Sequence, residues 1–279
     1  MGSKIDWTEN GWPVVSGCEK VSPGCDRCYA AAIAHRFNGT SAWPNGFDVT
    51  LWPSRLNAPM HWRRPRLVFV CPTGDLFHHG VPAEFIAQVF AVIQSCKAHT
   101  FQVLTKRHAR MRSLLSSDEF WTDVETFGRE VSASGPQRRS QYPADFGRAH
   151  QGLPNVLLGV SAENQKFADI RIPVLLQTPG FLRWVSAEPL LGAVDLSGYL
   201  RGPRALDWVV AGGESGPGAR PMQLAWAQAL AVQCEQAGTA YFFKQTGSVL
   251  ARELGYRGKG NDPAQWPERF PRQYPQRAA

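Results

Sequence analysis

The sequence predicts an α/β fold, a parallel (β/α) barrel or partial barrel of six to seven strands. Three observations predict it. Short runs that are apolar throughout recur along the chain, as strands buried on both faces require. Segments with helical apolar spacing separate them, the pattern of a parallel sheet covered by helices. Each run ends in ionisable or hydrogen-bonding residues, and in β/α barrels the chemistry gathers at the C-terminal ends of strands.

Val14-Val15 is expected as the first strand, leading into GCEKVSPGCDRCYA. Leu67–Val70 is the second, followed by CPTGDLFHH, which carries Thr73, Gly74, Asp75, His78 and His79. From Pro82, residues Ala83, Phe85, Ile86, Val89, Phe90 and Ile93 fall at helical spacing. Phe101–Leu104 is the next strand, with Thr105, Lys106 and Arg107 behind it. Val156–Val160 leads to Ser161, Glu163 and Asn164, and a helix is expected from near Asn164 to Leu176. Leu182–Val185 leads to Ser186 and Glu188, and Trp208–Ala211 to Glu214 and Ser215. A helix over Leu224–Ala237 stops at Gly238, a residue suited to the left-handed cap. Tyr241–Phe243 is the last strand, ending in Lys244-Gln245. Asp75 and Asn164 each have a second reading as helix caps.

The barrel is expected over 1–250, with an insertion at about 116–154 rich in Gly, Ser, Arg and Gln, helical only at its start. Residues 251–279 read as a basic, proline-rich tail that Trp266, Phe270 and Tyr274 dock onto the body. At 279 residues and 43% hydrophobic, the chain is long and apolar enough for a substantial core. No apolar run approaches the length of a membrane span, and MGSKIDWTENGW lacks the apolar segment of a signal peptide. The expected place is therefore the cytoplasm, with no membrane partner and with thiols kept reduced.

The net charge of +7 is uneven. Arg55, Arg63, Arg64 and Arg66 form one run without acids, interleaved with Trp52 and Trp62; Lys97, Lys106, Arg107, Arg110 and Arg112 form another. Such runs serve either as a solvated face or as a surface for the phosphates of DNA or a nucleotide.

Cys18, Cys25 and Cys28 stand within eleven residues, spaced C-x6-C-x2-C. Three thiolates this close suit a metal or an iron–sulfur cluster, and Pro23-Gly24 lets the backbone wrap around it. A site one ligand short of four keeps an open position for chemistry. With His35 as a fourth ligand, the same cysteines would instead make a zinc site in a nucleic-acid-binding or processing protein. Cys71, Cys96 and Cys234 read as packed thiols.

Three clustered cysteines after a first barrel strand resemble the radical S-adenosylmethionine superfamily. More closely, GCEKVSPGCDRCYA, DLFH, TFQVLTKR, LGVSAENQ, RWVSAEPLLG, WVVAGGESG and FFKQTG are similar to a phage-associated three-cysteine-motif family of unknown function. The resemblance implies a radical-type barrel enzyme whose Cys18, Cys25 and Cys28 each ligate one iron of a 4Fe-4S cluster. The fourth iron would be chelated by the amino and carboxylate groups of S-adenosyl-L-methionine, and reduction at about −400 mV or below would generate a 5′-deoxyadenosyl radical. It further implies Thr73, Gly74 and Asp75 at the methionine end of that cofactor, and Ser161, Glu163 and Asn164 at its ribose. Lys106, Glu188, Glu214 and Lys244 are left as catalytic or substrate-contacting groups. A reductant such as a flavodoxin or ferredoxin, a nucleotide or DNA base as substrate, and a host cytoplasm for a phage-encoded protein complete the expectation. Two departures stand out: the superfamily's first cysteine gap is three rather than six, and Arg27 stands where an aromatic is common, with Tyr29 following.

Overall fold

The computed structural model describes residues 5–134 and 152–276. The strands of the main sheet are β1 (Asn10–Trp12), β4 (Leu67–Val70), β5 (Thr100–Thr105), β6 (Val156–Ser161), β7 (Leu182–Ala187), β8 (Trp208–Gly212) and β9 (Ala240–Gln245). They lie in that order in one seven-stranded parallel sheet, an α/β partial barrel. Two further strands, β2 (Val15–Ser16) and β3 (Thr50–Leu51), pair antiparallel outside it.

The expected first strand is thereby corrected. Asn10-Gly11-Trp12, not Val14-Val15, opens the parallel sheet against Val68–Val70. Only Trp12 of the three is apolar, so composition hides the strand. Gly11 is required by the neighbouring chain, since a Cβ there would stand 3.0 Å from the Pro72 ring. Pro13 lacks an N–H and ends the ladder, which releases Val15 to pair elsewhere.

The helices are α1 (Tyr29–Arg36), α2 (Ala83–Ser95), α3 (His108–Leu115), α4 (Asp118–Ser134), α5 (Gln165–Gln177), α6 (Leu224–Ala237) and α7 (Ser248–Glu253). By contacts the chain divides into two compact units, 1–19 with 33–158 and 177–182, and 20–32 with 159–176 and 183–279. In the first unit α2 buries Phe85, Ile86, Val89, Phe90, Val92 and Ile93. Phe90 meets Phe120 and Trp121 of α4 edge-on at 5.7 and 5.9 Å. The early part of the expected insertion is thus a helix packed into the core, while 135–151 lie outside the described residues.

In the second unit α6 ends at Gly238 with φ of 70°, the left-handed cap expected. The tail docks along the edge strand: Phe243 N–H donates to Pro271 O at 3.0 Å and Gln273 N–H to Tyr241 O at 2.8 Å. Phe270 and Trp266 stack with Phe243 at 4.3 and 4.9 Å, and Tyr274 stacks with Trp208 at 5.4 Å. The tail therefore covers part of a sheet edge that would otherwise present unpaired backbone groups. Among the described residues no helix is long and apolar enough to cross a membrane.

Candidate functional site

The first unit carries Cys18. The segment leading to it crosses the turn after β4: Gly17 N–H donates to Thr73 O at 3.0 Å, and Gly17 bridges Gly74. Gly74 is dictated by that crossing, because a Cβ would lie 2.8 Å from Val15 O. Cys71, which begins the turn, holds φ of 53°, a left-handed value unusual for a residue with a side chain.

Asp75, 5% exposed, is the hub of this turn. Its Oδ1 accepts from Phe77 N–H at 3.0 Å and from the Thr105 hydroxyl at 2.7 Å. Its Oδ2 accepts from Lys106 N–H at 3.2 Å and from Arg107 Nη1 at 3.3 Å. Those four donors fill the carboxylate, so Asp75 serves here as an anchor that joins the ends of β4 and β5. Lys106 enters only through its backbone; its side chain has no hydrogen-bond or ion-pair partner among the described residues. Arg107 instead turns inward. Its Nη1 donates to Cys18 Sγ at 3.3 Å, and its Nη2 to Glu19 Oε1 at 3.3 Å. Burial pushes the Cys18 thiol up, the Asp75 charge adds to that, and Arg107 opposes both.

Glu19, His78 and His79 form the one trio of potential metal-ligand atoms within 4.8 Å of one another among the described residues. Its chemistry is that of a carboxylate clasp. Gly80 N–H donates to His78 Nδ1 at 3.0 Å, which leaves the proton of the neutral ring on Nε2, the nitrogen facing Glu19 at 3.5 Å. Burial first, then Arg107 and His79, hold the His78 pKa below its ordinary value. His35, the fourth ligand of the zinc reading, is exposed in the last turn of α1 and lies outside that trio, as do the three cysteines.

The second unit carries the loop of Cys25 and Cys28. A short 3-10 turn, Pro23–Cys25, begins it, and Cys25 N–H donates to Ser22 O at 2.8 Å. Two carboxylate–guanidinium pairs fasten this loop. Glu163 is fully buried and pairs with Arg171 of α5 at 2.9 Å, while its Oε1 accepts Gly24 N–H at 3.2 Å. Glycine is needed there, since a Cβ at Gly24 would stand 3.0 Å from the Glu163 carboxyl carbon. Glu214 is gripped by Arg220 at 2.6 and 2.9 Å and also accepts Arg220 N–H. Arg220 in turn donates to Pro23 O at 2.8 Å and reaches Asp26 at 3.5 Å. Burial tends to raise the Glu214 pKa, but the bonds from Arg220 outweigh it and hold it below the usual carboxylate value.

Glu188 and Lys244 make a third pair at 2.8 Å, with side chains 13% and 17% exposed. The Ser186 hydroxyl donates to Glu188 Oε2 at 3.2 Å. Asn164 caps α5, its Oδ1 accepting Phe167 N–H at 3.2 Å, and Ser161 offers its carbonyl to Arg171 at 2.7 Å.

The N-terminal thiols differ from the other three. Cys18, Cys25 and Cys28 are half-buried, whereas Cys71, Cys96 and Cys234 are buried. Burial pushes Cys96 and Cys234 up to about 12 and Cys71 higher, as inert core thiols should be. The three half-buried thiols are accessible to a soft metal, and the three buried ones are not. Arg171 and Arg220 carried no functional signal in the sequence. Arg107 showed only as part of a basic run, although its place directly after a strand marked the position.

The family model described as "Protein of unknown function (DUF5131)" matches residues 2–275, and the chain belongs to that family. No curated protein and no solved structure matches it.

Proposed function

We propose that this member of a family of unknown function is a radical S-adenosylmethionine enzyme whose Cys18, Cys25 and Cys28 hold a 4Fe-4S cluster. The observation that carries the reading is three half-buried free thiols in C-x6-C-x2-C spacing, the last two on a loop fastened by buried carboxylates. Cys18, Cys25 and Cys28 would hold the cluster, and the chemistry it would supply is a low-potential one-electron reduction of the cofactor's sulfonium. The chain's own residues do the rest. Glu163 and Arg220 fasten the backbone of the loop that carries Cys25 and Cys28. Glu188 and Lys244, paired yet partly open, are the groups available to hold a polar substrate or move a proton. Asp75, Glu163 and Glu214 act through the backbone they anchor.

The substrate we favour is a nucleotide or DNA base, delivered on the exposed cations Arg64, Lys97 and Arg112. Other members of the two basic runs are spent elsewhere. Arg55 lies over Trp52 at 3.8 Å and donates to Pro13 O, and Arg110 binds the carbonyls of His78 and Val81. A flavodoxin- or ferredoxin-type donor in the cytoplasm would supply the electron.

The test is anaerobic reconstitution with iron and sulfide, then S-adenosylmethionine and dithionite. A brown protein absorbing near 400 nm that releases 5′-deoxyadenosine, with both properties lost in Cys18→Ala, Cys25→Ala and Cys28→Ala, supports the reading. A colourless protein holding one zinc overturns it. For the substrate, binding to DNA should weaken steeply with salt, and no affinity at low salt removes the polymer version.

A further inference from the structure

Arg107 is a buried cation with two carboxylate neighbours and one sulfur. Its side chain is 11% exposed. Two bonds set its position from behind: its own N–H donates to Thr105 Oγ1 at 2.8 Å, and that hydroxyl donates to Asp75 at 2.7 Å. The guanidinium then spans Asp75, Cys18 Sγ and Glu19, each at 3.3 Å. Asp75 lies 7% exposed, Glu19 55% exposed, so the two acids are unequal partners. The inner acid fixes the guanidinium; the outer one offsets its charge from the solvent side.

We propose that Arg107 sets the electron affinity of the thiol centre, raising it through an N–H···S bond to Cys18, with Glu19 as the counterweight. This rests on the preceding reading of Cys18 as a cluster ligand. The physics is charge balance. A cluster that gains an electron becomes more negative, and a fixed cation bonded to one of its sulfurs stabilises that state. Exclusion of water strengthens the effect, because the field is less screened. A carboxylate on the far side of the same guanidinium takes part of it back. Arg107 is thus a tuning residue: it acts through the sulfur rather than on substrate.

The test is a redox titration of the reconstituted full chain, read by electron paramagnetic resonance. Arg107→Gln removes the cation and should lower the reduction equilibrium constant about tenfold, a fall of about 59 mV for one electron. Glu19→Gln removes the counterweight and should move the potential the opposite way by less. Equal potentials in all three proteins, or shifts of the same sign, overturn the proposal. Arg107→Lys keeps the charge beside Asp75 and serves if the glutamine variant does not fold; it should fall between wild type and Arg107→Gln. Should the wild type take up no cluster, the earlier reading fails and this proposal falls with it; a cluster whose potential is the same in all three proteins overturns this proposal alone.

Discussion

Two neighbouring strands of this sheet end in the same words. At the end of β6 stands Ser161-Ala162-Glu163, and at the end of β7 stands Ser186-Ala187-Glu188. The two glutamates have opposite fates. Glu163 is fully buried, paired with Arg171 and bonded to Gly24, with nothing left for a ligand. Glu188 is 13% exposed and is held by a lysine and a serine hydroxyl. The cause is the residue that comes next in each segment. After Glu163, Asn164 caps a helix that carries Arg171 back over the carboxylate. After Glu188 comes Pro189, which starts no such helix, and the partner arrives from β9 as a flexible lysine. One acid is a fully buried strut and the other, in the function proposed above, is a working group, and the motif is silent about which.

The sharpest break of that comparison is Arg171→Met. It strands a fully buried carboxylate, and a loss of about 3–5 kcal/mol is expected in urea denaturation. The same change at the open pair, Lys244→Met, should cost less, about 1–3 kcal/mol. Release of 5′-deoxyadenosine should nevertheless fall at least tenfold in Lys244→Met. If the two variants lose equal stability, the strut and the working group are not different.

Gly24→Ala tests the strut from the loop side. Its methyl would press on the Glu163 carboxyl, and overpacking of about 1–3 kcal/mol is expected, with weaker iron uptake measured by titration.

Glu214 gives the pH dependence. Its folded pKa lies below the unfolded value of about 4.3, so the folded chain binds this proton less readily. The stabilisation is whole above that value and is lost as pH falls through the lower folded one. Wild type should therefore lose stability on acidification that Glu214→Gln lacks, read as urea midpoints from pH 7 to pH 3. The smallest effect belongs to Lys106→Ala. With only its backbone engaged, stability should change by no more than about 0.5 kcal/mol, so any loss of product formation would assign the ammonium to substrate.

Much was legible in advance. Leu67–Val70, Trp208 to Ala211 and the helix closed by Gly238 were readable because runs buried on both faces leave no polar residues to confuse the pattern. The strand at Asn10–Trp12 was not, because its strength lies in a close approach to Pro72 and in backbone pairing, neither of which needs an apolar sequence. The docking of Trp266, Phe270 and Tyr274 was legible, since large aromatics in a polar tail need a surface to cover.

By itself the sequence determined the alternation of strand and helix, the polar residues at strand ends and the cysteine spacing, because each is a local pattern. Tertiary structure alone decided which carboxylates are spent and which are open. A charge is spent when a guanidinium from another element reaches it, as Arg107 reaches Asp75, Arg171 reaches Glu163 and Arg220 reaches Glu214. That reach depends on the path of the chain between the partners, which residue type and spacing do not encode.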